Sequence, residues 1–177
     1  MTIPLVVLMA LLIGNLAGTT ESSSGSRTPT ALPPVTAAAP PFATANARAC
    51  TTVLQQLPIR LEGLAQRVVH PRPDSPFVTA WGDPPVVWRC GVARPAALTA
   101  GSVSQAIAVN GVWFLPVAGK DATVWTSVDR AVYLEVTVPS GYRQPPLGPI
   151  ASAIARLPAV CVIDPKQPIE KQCTRRK

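Results

Sequence analysis

The chain has 177 residues, 47% apolar and 14% charged, ample material for the core of one ordinary domain with appendages. Its formal charge of +7 is dispersed: nine Arg or Lys face six Asp or Glu from Ala49 to Ile163, and five face two in the tail from Asp164 to Lys177. No basic stripe with interleaved aromatics occurs, which argues against specific nucleic-acid binding and makes residues 164–177 a solvated basic tail, or, on a sharper reading, a contact for an anionic envelope surface.

Residues 3–18, "IPLVVLMALLIGNLAG", are apolar and uncharged. The run is slightly long for a signal core and short of the ~20 residues that span a bilayer comfortably. It reads as an export signal (residues 1–18), either cleaved or retained as an anchor, with retention favoured because small-residue cleavage sites are poor. No basic residue precedes it, and Leu16 to Thr19, "LAGT", resembles a lipobox with threonine in place of the acylated cysteine. Residues 19–49 are dominated by Ser, Thr, Ala and Pro without periodicity. They read as a disordered tether, since such a chain buries too little apolar surface to offset its ordering entropy.

The folded domain is expected over 50–163. Thr52 and Gln55 have the spacing of a capping box. Leu54, Leu57, Leu61 and Leu64 recur at helical spacing, with Pro58 as a break and a short second turn over Ile59 to Ala65. The proline-rich stretch 70–80, "HPRPDSPFVTA", reads as an irregular loop. From Pro85 onward the pattern is β. "VVWRCGV" is strand-like, and Asn110-Gly111 marks the tip of a hairpin because both central residues of a type I′ turn need positive φ. "ATVWTSV" is another strand, and Val132, Leu134, Val136 and Val138 alternate with polar neighbours in a half-buried one. A closing helix spans about Pro146 to Leu157. The implied class is α+β: a mainly antiparallel sheet of about four to five strands with two helices packed on one face.

Four cysteines, Cys50, Cys90, Cys161 and Cys173, in an exported chain read as two disulfides, for which three connectivities exist. No C-x-x-C pair or histidine cluster supports a metal site, and no cofactor motif appears. The single histidine, His70, lies beside Pro71, away from any nucleophile motif. Asp74, Asp83, Asp121 and Asp129 are scattered, whereas a glycosidase pair needs carboxyl groups within ~5–9.5 Å. The chain therefore reads as a non-enzyme. Within "AWGDPPVVWRCGV", residues 80–92, Asp83-Pro84-Pro85 pre-sets a turn, with the Asp side chain bonding a following N–H. Trp81 would cover it, and Trp88 and Cys90 would enter the core. Arg89 would point the other way, towards Asp83, Asp129 or Glu135. The competing reading makes Trp81, Asp83 and Arg89 a binding surface that stacks on and hydrogen-bonds a ligand.

Cys50-Thr-Thr-Val-Leu with Leu57-Pro58, "AWGDPPVVWRCGV" with Arg94-Pro95, "VNGVWF" and "DRAVYLEVTVP" together resemble an actinobacterial family of exported proteins, domain of unknown function 3515, over roughly residues 49–158. The resemblance implies an N-terminal hydrophobic segment, an extracytoplasmic domain and no assigned activity. It also places Cys50 and Cys90 in family-like segments, which pairs them and leaves Cys161 with Cys173 in a C-terminal extension. The expectation is a module tethered to the membrane through residues 3–18, binding a cell-envelope polymer or envelope protein. The alternative is a weak envelope hydrolase built on converging carboxylates.

Overall fold

The structure, a computed structural model, describes residues 32–99 and 101–160. The expected export segment, the first part of the expected tether, Cys161, Cys173 and the basic tail lie outside the described residues. In chain order the elements are β1 (Val35–Ala38), α1 (Thr44–Leu54), β2 (Arg60–Leu61), β3 (Leu64–Arg67), β4 (Val69–Arg72), β5 (Val78–Trp81) and β6 (Val86–Val92). A 3-10 turn (Val103–Gln105) follows, then β7 (Ile107–Val109), β8 (Val112–Ala118), β9 (Ala122–Ser127), β10 (Tyr133–Pro139) and α2 (Gly148–Ile154).

The class is mixed helix and sheet, with two helices and one open antiparallel sheet of eight strands ordered β2-β3-β5-β6-β10-β9-β8-β7. Four to five strands was therefore too few. The strands missing from that expectation, β2, β3 and β5, are only two to four residues long. Two to four residues hold too little alternation to register as a period, and β5 is buried at all four positions. The stretch expected to be loop thus contains β4 and β5. Leu61 and Leu64 face each other across the β2–β3 pair rather than sharing a helical stripe.

Where turn chemistry is explicit, expectation and structure agree. Asn110 and Gly111 have φ of 46° and 76°, and Val109 pairs Val112 across them. Strand β10 alternates as read, with Leu134, Val136 and Val138 buried. Register places Cys90 opposite Leu134 and Trp88 opposite Val136, so these four side chains share one face. They form the main core with Val86, Val112 and Phe114, joined by Cys50 and Val53 of α1 and by Ile150, Ala151 and Ile154 of α2.

The opposite face carries Val78, Val87 and Arg89. Here the expected boundary at Cys50 is corrected, because order begins well before it. Strand β1 pairs in parallel with β4, Val35 opposite Val69 through Ala38 opposite Arg72. Ala37 and Ala39 pack on Val78, Val69 and Val87. Arg67 Nη2 donates to Pro33 O at 2.5 Å, Arg89 Nη1 donates to Ala38 O at 3.0 Å, and Phe42 stacks on Phe77 at 5.9 Å. Backbone pairing and arginine clamps, neither of which needs a periodic sequence, hold this Pro/Ala-rich segment. Helix α1 likewise starts at Thr44, with Ala43 as an N-cap that makes no side-chain bond. Thr52 is not a cap: its hydroxyl donates to the Arg48 carbonyl one turn back, at 3.0 Å.

A chain beginning at Ala49 lacks β1 and the first turn of α1. It should melt about 5 °C or more below one beginning at Leu32. Equal melting midpoints in calorimetry would mean that the β1–β4 layer adds no stability.

Candidate functional site

The stretch 80–92 resolves into a structural corner. Trp81 is fully buried, and its indole N–H donates to Pro58 O at 2.9 Å, which ties the chain after α1 to the sheet. Gly82 has φ of +76°, and a Cβ there would stand 2.6 Å from the Tyr142 hydroxyl. That hydroxyl donates to Pro84 O at 2.7 Å; burial and the Asp83 charge push its pKa up. The Asp83 side chain makes no hydrogen bond with a following N–H. It is exposed and faces the Arg67 guanidinium at 3.7 Å, while that guanidinium donates to Gly82 O at 2.6 Å. Arg89 lies on the other face, paired with Glu135 and bonded to Ala38 O. Trp81, Asp83 and Arg89 therefore do not meet in one exposed surface. Trp81, being buried, does not offer its ring to a ligand.

Cys50 and Cys90 form a disulfide with Cα atoms 5.6 Å apart, and both residues are buried. The bridge fixes α1 to β6. The expected Cys161–Cys173 partner bridge lies outside the described residues.

Fixing Cys50 inward orients the rest of α1. Cys50 and Val53 form its buried stripe, and Ala45, Arg48, Ala49 and Thr52, at helical spacing, form a neighbouring one. That second stripe lines one wall of a groove of about 430 Å³. Ala131, Arg156, Leu157 and Pro158 line the opposite wall. The far wall has its own anchor in the Asp129–Arg130 pair, of which both side chains are 3% exposed. Arg130 donates to Asp129 Oδ2 at 2.5 Å and to Gly111 O at 2.9 Å. Trp113 N–H also donates to Asp129 Oδ2, at 3.2 Å. Burial pushes the Asp129 carboxyl above the usual carboxylate range, against the pull of Arg130. From this corner Arg130 bridges Ala159, and Val160 N–H donates to Asp129 O at 2.9 Å, which lashes the segment after α2 in place.

The groove's electrostatics are one-sided. Arg60, Arg67, Arg89, Arg94 and Arg130 all give guanidinium N–H groups to protein acceptors. Arg48 and Arg156 are exposed, and among the described residues their guanidiniums have no hydrogen bond or ion pair. No carboxylate of the described residues lines this groove. A second groove, about 380 Å³, lies on the other face between Ala93–Ala97 and strands β8 to β10, with Glu135 as the carboxylate in its lining. That carboxylate is already held by Arg89 and by the Thr137 hydroxyl. His70 sits exposed in β4 opposite Thr36. No group of three or more His, Cys, Asp or Glu able to hold a metal occurs among the described residues.

Neither arginine of the first groove stood out in the sequence. The available signal was Ala45, Arg48, Ala49 and Thr52 on one helical face, hidden because residues up to 49 read as tether.

A family model described as Protein of unknown function (DUF3515) matches residues 1–161. No curated protein and no solved structure matches the chain.

If Gly82 and Tyr142 rather than the Asp83 side chain hold the corner, Gly82→Ala should cost about 1–3 kcal/mol through its positive φ and the hydroxyl clash. Asp83→Ala should cost at most about 1 kcal/mol, as for an exposed ion pair. Urea unfolding of both variants checks the order; a larger loss for Asp83→Ala would reverse the assignment.

Proposed function

We propose, for a chain that belongs to the DUF3515 family of proteins of unknown function, that it is a non-catalytic extracytoplasmic module. Its N-terminal apolar segment tethers it, and the α1 groove binds an envelope component or partner protein. The observation that carries this reading is the pair of unengaged guanidiniums, Arg48 and Arg156, on opposite walls of one largely apolar groove. Concave apolar surface with a few placed polar groups is the usual form of a binding site, and about 430 Å³ falls within the roughly 300–1,000 Å³ such sites occupy. The buried Cys50–Cys90 bridge supports a location outside the cytosol, where thiols are not kept reduced.

A hydrolase would need two carboxyl groups facing one cleft. Among the described residues the first groove has none and the second has Glu135, already engaged. Asp129 is buried against Arg130, and Asp83 stands exposed beside Arg67. Among the described residues, nothing favours the hydrolytic alternative.

Three measurements on the full chain in intact cells test the proposal. Externally added protease should digest the domain, and Cys50 and Cys90 should resist alkylation until reduced. A photo-cross-linker at Ala45 should give adducts that are absent when it stands at exposed Lys120. Protection from external protease with both thiols free, or identical adducts from the two positions, would contradict the proposal.

A further inference from the structure

The groove's chemistry restricts its ligand further. We infer, building on the reading of this groove as the binding site, that its occupant is an acidic peptide segment in which carboxylate side chains flank small aliphatic ones. A guanidinium is permanently charged and presents a planar fork that matches a carboxylate bidentately. Arg48 and Arg156 hold such forks on opposite walls, with no acceptor among the described residues to satisfy them. The described domain as a whole is net positive, with ten Arg or Lys and six Asp or Glu between Leu32 and Val160, so its field draws anions in.

Between the two arginines the lining offers almost nothing polar. Ala45, Ala49, Ala131, Leu157 and Pro158 present methyl and methylene groups. The Thr52 hydroxyl proton is already given to the Arg48 carbonyl. Affinity there must come from burying aliphatic groups of the ligand. That condition selects among anions. A phosphate polymer has charge but no aliphatic side chains to bury. A glycan wants hydrogen-bond partners and an aromatic platform, and this lining contains no aromatic among the described residues. An acidic peptide with Ala or Leu between its carboxylates meets both requirements. Ala45 and Ala49, one turn apart, keep the helix surface low enough for an extended backbone to lie along it.

The test uses the full chain in mild detergent and fluorescence anisotropy with a labelled Glu-Ala-Leu-Glu-Ala peptide. Its Gln-for-Glu and Lys-for-Glu counterparts and inorganic polyphosphate serve as competitors. The Glu peptide should bind, more weakly as salt is raised, and neither counterpart should compete. Arg48→Glu and Arg156→Glu should each weaken binding at least tenfold with an unchanged melting midpoint, because both side chains are exposed. The double variant should gain binding of the Lys peptide, an exchange that mere loss of structure would not produce. Ala49→Met, which narrows the groove without changing charge, should also weaken binding. Equal binding of Glu and Gln peptides, stronger competition by polyphosphate than by unlabelled Glu peptide, or single charge reversals without effect would overturn the inference. Groove-specific cross-links in cells without peptide binding in vitro would reject the ligand class and leave the binding module standing. Failure of both would reject the groove itself.

Discussion

The buried bridge between Cys50 and Cys90 is the constraint on which the rest of this structure depends. Helix α1 has little to hold it otherwise. It is 11 residues long, its N-cap is an alanine with no side-chain bond, and neither its first nor its last turn carries a charge that complements the helix dipole. A helix of that length is marginal in isolation. Tying its middle residue to the central strand β6 limits its rotation and reach, and in the loop-entropy picture a bridge across about 40 residues contributes about 3–4 kcal/mol. With Cys50 pinned inward, Val53 reaches the core shared by Trp88, Leu134 and Ile150, and the stripe from Ala45 to Thr52 turns towards the segment after α2.

That segment is held by a different device. The Asp129–Arg130 pair sits where the β7–β8 and β9–β10 connections converge, and it bonds the Asn-Gly turn, β8 and the approach of Ala159 and Val160. Burying such a pair is costly unless its remaining groups are satisfied. Here Asp129 Oδ1 and Arg130 Nε have no hydrogen-bond partner among the described residues, so the corner contributes position more than stability. The two walls of the groove are thus set by a covalent tie on one side and a buried ion pair on the other. Both flanking guanidiniums remain outside these networks.

Much of the β architecture was legible because it follows from local rules. Asn110-Gly111 demands its turn, and β10 alternates cleanly enough to show which face is wet. The pairing of Cys50 with Cys90 was legible only through the family resemblance, since spacing alone leaves three connectivities open. What escaped detection has particular causes. Strands β1 and β4 are Ala- and Pro-containing stretches whose order comes from pairing with each other and from the reach of Arg67 and Arg89. Thr52 and Gln55 match a capping box, yet the helix had already begun at Thr44. The Leu57-Leu61-Leu64 spacing is helical, but Pro58 and the Glu62-Gly63 turn, whose two residues have φ of 48° and 90°, redirect it into a hairpin. Arg89, read as a candidate ligand contact, is instead a clamp between Glu135 and β1. Of the two groove arginines, Arg48 lies on a helix expected to open later, near Cys50, and Arg156 lies just past the end of α2, within the stretch expected to be helix.

The central claim is that the bridge positions α1, and with it the groove. Hydrogen exchange of the oxidised full chain against a Cys50→Ala, Cys90→Ala variant tests it most directly. The account predicts that amides of Arg48 to Leu54 lose protection when the bridge is absent, while those of β6 and β10 keep most of theirs. Unchanged protection across α1 in the variant would contradict it.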